Sequence, residues 1–206
     1  MEKEKNVRIP QQKRSVEKKE RILDAAYRLF CENGFAKTTT SEIAASAGVS
    51  VGSLYSYFTD KHHIFFEIML RYDERFNALH EEFFTRIEEL RESPAVWLRA
   101  YLEALIQIHQ DTADFQREMK ILYYSDPDIA HRLDAGAENV RQVIEQYLQL
   151  AQKPLRITDL EATTQLLSLM VSAVVDYLFL SSRPVEKERI LNEFITAMNR
   201  YIFDLT

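Results

Sequence analysis

The chain has 206 residues, a formal net charge of −6 at pH 7 and 46% hydrophobic residues, which suits one domain with a small appendage or two domains with packed cores. The chain has only four glycines and five prolines, a low content that favours helices, and its single cysteine excludes an internal disulfide. No apolar segment follows the charged N-terminus, so we expect no secretory signal, and the longest apolar run, residues 166–180, is too short to span a bilayer.

The net charge is unevenly distributed along the chain. Residues 1–61 carry 11 Lys and Arg against 8 Asp and Glu, a net charge of +3, whereas residues 62–206 carry 15 against 24, a net charge of −9. The N-terminal part is therefore the part suited to contact a polyanion. Residues 1–14 are predicted to form a basic, flexible arm, which is either a solvated tail or a further contact with that polyanion.

The first predicted helix runs from about Ser15 to Asn33, with apolar residues at helical spacing on one face. Gly34 suits the left-handed position that follows a helix end. Thr39 and Glu42 form a T-x-x-E capping box, which makes Thr39 the predicted N-cap of a second helix.

Residues 48–50, Gly-Val-Ser, predict a tight turn, because the glycine allows an unusual backbone angle and the serine can cap the next helix. That third helix is predicted over residues 51–58. Thr59 is the predicted cap of a fourth helix, with Lys61 in its first turn. Two short helices across a tight turn form a helix-turn-helix, a motif that places its second helix in the major groove of DNA.

Residues 17–70 resemble the DNA-binding domain of the tetracycline-repressor (TetR) family. The stretches ILDAAYRLFCENGF, TTTSEIAASAGVS and GSLYSYFTDK follow the family pattern in order and without gaps. Val51 stands where many members carry a polar or basic residue, and Tyr57 where histidine is frequent. The resemblance implies a homodimeric transcription regulator that binds a palindromic DNA operator through residues 15–61 and an effector through residues 62–206.

The third helix carries no Arg, Lys, Asn or Gln, the side chains that make bidentate contacts with bases. We therefore expect apolar contacts, close fit and DNA shape to read the sequence, with phosphate contacts fixing the register. The predicted DNA-binding residues are Thr39, Ser50, Val51, Gly52, Ser53, Tyr55, Ser56, Tyr57 and Lys61. Lys61 is alternatively a solvated lysine. The arm would reach the minor groove through Arg8, Lys13 or Arg14.

Beyond the motif, helical patterns interrupted by prolines predict a helical bundle, so the fold class is all-α. The nine predicted helices cover about residues 15–33, 40–47, 51–58, 61–91, 94–110, 115–124, 127–152, 160–182 and 185–203. The fourth helix is expected to break near its middle, Gly136 is a weak point in the seventh, and either Thr158 or Asp159 caps the eighth.

The last two predicted helices are the expected dimer surface. Residues 166–180 are almost entirely apolar, and a helix that is apolar all round must be covered on all sides. The resemblance implies a four-helix bundle with a second copy; the alternative is that both helices lie within the core of one chain. The predicted interface residues are Leu166, Met170, Val174, Leu178, Phe194 and Met198.

An effector pocket is predicted only from aromatic residues and one acid. Its candidate residues are Phe76, Phe83, Trp97, Tyr101, Tyr123, Tyr124, Asp176 and Tyr177, each of which is alternatively an ordinary core residue. Asp176 is costly on an apolar helix without a partner, so it is either a structural acid or a pocket acid that selects a cationic or hydrogen-bonding ligand. We expect no cofactor and no metal, because HExxH, CxxC and acidic calcium loops are absent.

The sequence therefore predicts a cytoplasmic, homodimeric repressor that a small, largely apolar effector releases from its operator. The alternative is a dimeric DNA-binding protein without a small-molecule switch, in a structural or division-linked role. Residues 48–52 also match the G-x-S-x-G pattern of serine hydrolases. That motif requires a preceding strand, and a helix is predicted there, so an enzyme is disfavoured.

Overall fold

The computed structural model describes residues 13–150, 156–180 and 184–203. These residues form ten α-helices and no β-strand, so the predicted all-α fold is confirmed with one helix more than expected. The helices are α1 (Lys13–Asn33), α2 (Thr40–Ser46), α3 (Val51–Leu54), α4 (Lys61–Thr85), α5 (Ile87–Glu92), α6 (Pro94–Asp111), α7 (Ala113–Ser125), α8 (Pro127–Leu150), α9 (Leu160–Leu180) and α10 (Pro184–Ile202). No helix within these ranges is long and apolar enough to cross a membrane.

The additional helix arises where the predicted helix 61–91 is interrupted. Arg86 separates α4 from α5 and has a non-helical conformation, with φ −100° and ψ 23°. Its N–H bonds to the Phe83 carbonyl three residues back at 3.2 Å, a tighter step than that of an α-helix. The Arg86 guanidinium bonds to the Glu89 carboxylate and lies 4.6 Å from the centre of the Phe83 ring, contacts that favour this local geometry.

Several helix starts depend on side-chain caps. Pro94 begins α6 as predicted, but the Ser93 hydroxyl makes no capping hydrogen bond. Asp126 Oδ1 accepts from two backbone N–H groups in the first turn of α8, each at 3.2 Å. Asp159 Oδ1 accepts from a backbone N–H in the first turn of α9 at 3.0 Å, so the cap of α9 is Asp159 and not Thr158.

Other predicted boundaries concern the long helices and the arm. Helix α8 continues through Gly136 without interruption. The predicted end of the seventh helix at Gln152 and of the eighth at Ser182 lie outside the described residues. Of the predicted arm, the structure describes Lys13 and Arg14, which form the start of α1.

The chain divides into two compact units. The first comprises the chain up to Glu74 together with Asp114–Ile129, and the second comprises Arg75–Ala113 and the chain from Ala130 onward. The unit that contains the predicted helix-turn-helix is thus larger than residues 15–61 and includes a segment distant in sequence.

The first unit has an aromatic core. The rings of Phe30, Phe35, Phe65 and Phe115 lie in successive contact, with centroids 5.1 to 5.6 Å apart. Helix α1 packs on α2, and α2 packs on α3. Buried aromatic rings supply much of the hydrophobic stabilisation of a small core. Because Phe115 lies on α7, this core explains why that segment joins the N-terminal unit.

The second unit is organised around α6, which packs on α5, α9 and α10. Its buried residues are mainly aliphatic, joined by the aromatic residues Phe83, Trp97, Tyr101, Tyr147, Phe194 and Phe203. Helix α9 therefore has one face in this core, and its fully buried positions include Leu167. The remaining faces of α9 decide what this unit can contact, and they are described below.

Candidate DNA-binding site

The start of α2 has the predicted capping box. The Thr39 hydroxyl accepts from the Glu42 N–H at 3.2 Å, and Glu42 Oε2 accepts from the Thr39 N–H at 2.8 Å. Hydrogen bonds from the Thr39 hydroxyl and backbone lower the pKa of the Glu42 carboxyl. The N-terminus of α2 is thus fixed by local sequence alone, as the spacing predicts.

The turn between α2 and α3 also follows the prediction. Gly48 has φ +65°, a left-handed conformation that side chains with a Cβ rarely adopt. Ser50 is the N-cap of α3, and its Oγ accepts from the Ser53 N–H at 3.1 Å. Ser50 therefore follows a helix and serves as a cap, which removes the context that a hydrolase nucleophile at this position requires.

Helix α3 is shorter than the predicted helix 51–58. It ends at Leu54, and the N–H groups of Ser56 and Tyr57 bond to carbonyls three residues back at 3.1 and 2.9 Å. The Ser56 hydroxyl donates to the Gly52 carbonyl at 3.0 Å. Such side-chain bonds compete with the helical ladder, which accounts for the early end of the helix.

The predicted cap of α4 is also wrong by one residue. Asp60 Oδ1 accepts from the His63 N–H at 2.8 Å, which makes Asp60 the N-cap. Thr59 instead donates its backbone N–H to His63 Nδ1 at 3.2 Å. A carboxylate is the stronger acceptor for helical N–H groups and complements the positive end of the helix dipole, which explains why Asp60 takes the position.

The predicted DNA-contacting residues differ in exposure. Those on the surface of the first unit are Thr39, Ser50, Val51, Gly52, Tyr55 and Ser56, with Ser53 partly exposed. The Tyr55 hydroxyl lies 3.0 Å from the Thr40 hydroxyl, which ties α3 to the start of α2. Tyr57 is buried with 6% exposure, and its hydroxyl lies 2.9 Å from Ser15 Oγ. Tyr57 is therefore a core residue of this unit.

Lys61 lies against the loop between α1 and α2. Its ammonium donates to the carbonyls of Phe35, Ala36 and Thr38 at 2.6, 3.4 and 3.0 Å. Burial lowers the pKa of Lys61, and the nearby Glu118 carboxylate opposes that shift. These carbonyls account for a cation at the start of a helix, and a freely solvated Lys61 is excluded. A phosphate contact by Lys61 stays a prediction.

Glu118 of α7 is a functional candidate that sequence reasoning missed. It is buried, and its Oε1 accepts from the Phe35 N–H at 2.5 Å. The N–H of Phe35 therefore meets Glu118, while its carbonyl meets Lys61. The available signal was a carboxylate on the apolar face of α7, next to Met119 and three residues from Phe115, where an unpaired charge is unfavourable.

Basic side chains of α1 flank the motif. Arg14, Lys18 and Arg21 line a groove that also contains Glu17, Glu20 and Tyr57, so its cations outnumber its acids by three to two. Arg21 Nη1 would lie 3.8 Å from a Cβ at Gly48, which places this guanidinium beside the turn of the helix-turn-helix. Positive charge at this position suits a phosphate, and Arg21 was not among the predicted contacts.

Comparison with known proteins identifies the motif. Residues 22–68 match the family model for bacterial regulatory proteins of the tetR family. Residues 22–68 therefore form a TetR-type DNA-binding domain. The fold of the chain is that of a solved TetR-type structure, a proposed TetR-family transcriptional regulator from Mesorhizobium loti, with a TM-score of 0.72 and 19% identity over 94% of this chain and 100% of that one. At this identity the likeness shows the fold alone.

Sequence relatives agree with the TetR assignment. The chain is 32% identical over 111 residues to the HTH-type transcriptional regulator AcrR of Shigella flexneri, covering 52% of this chain and 49% of that protein. It is 33% identical over 102 residues to the HTH-type transcriptional repressor KstR2 of Rhodococcus jostii, covering 49% of this chain and 50% of that protein. The chain thus spans about half the length of these curated relatives. These relatives are regulators, and the family is not one of enzymes.

The predicted effector residues do not form one cluster. Trp97 and Tyr101 line an apolar cavity of about 80 Å³ in the second unit, and Phe83 packs edge-on against both rings. Phe76 contacts the His109 ring edge-on at 5.6 Å and lies outside the cavity lining. Sequence patterns indicated aromatic residues but could not distinguish the cavity wall from the layer behind it.

The other candidates for the pocket lie elsewhere. Tyr123 and Tyr124 are exposed residues of the first unit. Asp176 is partly buried on α9 but does not line the cavity. Tyr177 is 43% exposed and donates its hydroxyl to Glu186 at 3.0 Å.

The predicted dimer residues divide between core and surface. Leu178, Phe194 and Met198 are buried within the second unit, and Met170 and Val174 pack partly against that core. Leu166 is exposed. Among the side chains of α9 and α10 that the structure describes, the large apolar or aromatic ones that are exposed are Leu166, Leu169, Tyr177 and Tyr201.

Proposed function

We propose that this protein is a cytoplasmic, homodimeric transcriptional repressor that binds a palindromic operator and is released from it by a small, largely apolar effector. DNA binding would reside in residues 15–61, and effector binding and dimerisation in residues 62–206. The TetR-type DNA-binding domain supports this function, and the KstR2 match supports repression in particular. The observation that carries it is the capped, outward-facing α3.

The exposed face of α3 is the proposed reading surface. Val51 and Gly52 of α3 are exposed, as are Tyr55 and Ser56 of the turn that follows it, and none of the four can make the bidentate base contacts of Arg or Asn. Val51 offers a methyl contact to thymine, and Gly52 lets the groove floor approach the backbone. Sequence selection would therefore depend on close fit and on DNA shape.

Phosphate contacts would fix the position of α3 in the groove. Of the four predicted phosphate contacts we retain Thr39, Tyr55 and Lys61, since Tyr57 is buried, and we propose Arg21 beside the turn as a further contact. Each phosphate neutralised by a cation makes binding more sensitive to salt. We therefore expect both affinity and salt slope to fall when Arg21 is replaced.

Dimerisation is proposed through the exposed apolar stripe of α9 and α10. Leu166, Leu169, Tyr177 and Tyr201 expose large side chains there, an arrangement typical of a surface that another helix pair covers. A two-fold dimer presents two copies of α3, so half-sites one or more helical turns apart are expected.

Release follows from differential binding. An effector that binds better to a conformation with a different separation of the two α3 helices lowers the affinity for DNA by the same coupling free energy.

The alternative, a dimeric DNA-binding protein without a small-molecule switch, is favoured by one observation: a cavity of about 80 Å³ is smaller than most ligand pockets. A ligand must therefore widen it.

The test is selection of bound duplexes from a random DNA library, followed by salt titration of the selected sequence. A palindrome bound at least about a thousandfold more tightly than random DNA supports a specific regulator. Weak binding without a consensus, with a steep salt dependence, would contradict the proposal.

A further inference from the structure

The cavity of the second unit has walls of one chemical kind. It is lined by α6, α8, α9 and α10 together with Leu90 of α5, and its lining residues are aliphatic or aromatic apart from Asn199. None of the described residues that line it is charged. An apolar, uncharged wall disfavours any ligand that carries a full charge, because desolvation of that charge would have no compensation.

Most polar atoms at this wall already have partners. The Tyr147 hydroxyl donates to the His80 carbonyl at 3.1 Å, and the Tyr101 hydroxyl lies 3.3 Å from His80 Nδ1. The Asn199 amide donates to the Ile195 carbonyl at 2.9 Å. Burial lowers the pKa of His80 from its ordinary value, so this ring is neutral at pH 7 and adds no charge behind the wall.

Trp97 is the exception. Its side chain is 3% exposed, and its Nε1–H is buried without a hydrogen-bond partner among the described residues. The indole stacks on Tyr101 with an interplanar angle of 4° and meets Tyr147 edge-on at 4.8 Å between centroids. Rings on two sides thus hold the indole in place. Buried N–H groups in proteins are nearly always paired, so a fixed, unpaired donor on a residue that lines a cavity calls for an acceptor.

We propose that the cavity binds an uncharged, mainly apolar ligand with one hydrogen-bond acceptor, such as a ketone or ester carbonyl, which accepts from the Trp97 Nε1–H. The proposal names the effector class and so rests on the function proposed above. It excludes a cationic ligand selected by Asp176, because no acid lines the cavity.

Two matched probes test this chemistry in the absence of DNA. Acetophenone and ethylbenzene share an aromatic ring and eight carbons, but only acetophenone has a carbonyl. We expect calorimetric titration of the full chain to give about fivefold tighter binding of acetophenone, the difference expected from one neutral hydrogen bond. Trp97→Phe keeps an aromatic ring without the donor and should lose the preference for acetophenone, because its carbonyl would then be buried without a partner. Tyr124→Phe, at an exposed residue outside the cavity, is the control and should keep the preference.

A second measurement needs no variant. Trp97 is the only tryptophan, so the indole N–H gives a single resonance in an ¹H–¹⁵N spectrum of the whole protein. Acetophenone should shift this resonance downfield, and ethylbenzene should not. Equal binding of the two probes, no binding of either, or a preference that survives in Trp97→Phe would overturn the proposal.

The operator experiment separates this proposal from the proposed function. A preference for acetophenone without any palindrome selected from the DNA library would support the site and contradict the regulator. A selected palindrome with no preference for acetophenone would support the regulator and overturn the ligand class.

Discussion

The helix-turn-helix and the cavity of the second unit differ in whether their N–H groups have hydrogen-bond partners. Around the turn, Thr39, Ser50 and Asp60 each satisfy backbone N–H groups within three residues. By contrast, the buried N–H of Trp97, a residue that lines the cavity, has no hydrogen-bond partner in the described part of the chain. The first arrangement fixes one shape before DNA is present, whereas the second leaves a place that a ligand can complete. Fixed geometry suits the reading surface, and an incomplete site suits a regulated one.

The largest effect is expected from removing a hydrogen bond between residues of the DNA-binding unit that are distant in sequence, Glu118 and Phe35. Glu118→Ala leaves the buried Phe35 N–H without an acceptor, so we expect the free energy of unfolding to fall by about 2 kcal/mol. Operator affinity should fall as well, because Phe35 begins the loop that leads to Thr39. Chemical denaturation and fluorescence anisotropy measure the two effects.

Glu118→Gln is the matched control, because its amide oxygen can still accept from the Phe35 N–H. It should retain most of both stability and affinity. Wild-type stability in Glu118→Ala would show that the contact does not support the loop.

A pair of glycine substitutions separates stability from DNA fit. Gly48→Ala should destabilise the chain by about 1–2 kcal/mol, because φ +65° is strained for alanine. Gly52→Ala should stabilise it by about 0.5–1 kcal/mol, since Gly52 is helical and the added Cβ would meet no atom within 4 Å beyond its chain neighbours and the backbone of its own helix. Yet Gly52→Ala should weaken operator binding, because the methyl group keeps the backbone from the groove. Thermal unfolding measures the stability of both variants, and fluorescence anisotropy on the same samples measures their operator affinity. Unchanged operator affinity in Gly52→Ala would show that this residue is not part of the reading surface.

A local cap gives a smaller effect. Thr39→Ala removes the oxygen that accepts from the Glu42 N–H and should cost about 1 kcal/mol of unfolding free energy. Thr39→Ser keeps that oxygen and should lie close to wild type in urea denaturation. Equal losses in the two variants would mean that the methyl group, and not the cap, matters.

The smallest effect is a pH dependence in the second unit. Burial lowers the pKa of His80, so the folded chain holds less of the His80 proton than the unfolded chain just below pH 6.5. The stabilising contribution of neutral His80 is present above that pH and is lost as the pH falls towards the folded pKa. His80→Gln should therefore lose less stability than wild type between pH 7 and pH 5.5 in denaturant titrations. Parallel losses would exclude titration of His80 as a cause.

The sequence could predict features that depend on neighbouring residues, but not those that depend on contacts between distant parts of the chain. The capping box, Gly48 and Ser50 depend on neighbours within four residues, so spacing alone identified them. The early end of α3 and the cap at Asp60 were missed because several local hydrogen bonds compete at those positions. Helix propensity and sequence spacing do not show which of these local hydrogen bonds is the most stable.

Long-range contacts account for the remaining differences. Glu118 meets Phe35 across 83 positions of the chain, and no local pattern reports that pairing. Tyr57 and Tyr55 are alike in sequence, but packing against α1 buries the first and leaves the second exposed. The cavity selects Trp97 and Tyr101 from eight candidates for the same reason: its wall is formed by helices that are distant in sequence.

The proposed regulator is tested most directly by comparing the selected palindrome with the same duplex in which one half-site is scrambled. Anisotropy titrations at physiological salt measure both affinities. A dimer that reads two half-sites with two α3 helices should lose at least about a hundredfold in affinity when one half is scrambled, since each mismatched base pair costs roughly 1–3 kcal/mol. Equal affinity for the two duplexes would contradict a symmetric dimer that reads its operator through the exposed face of α3.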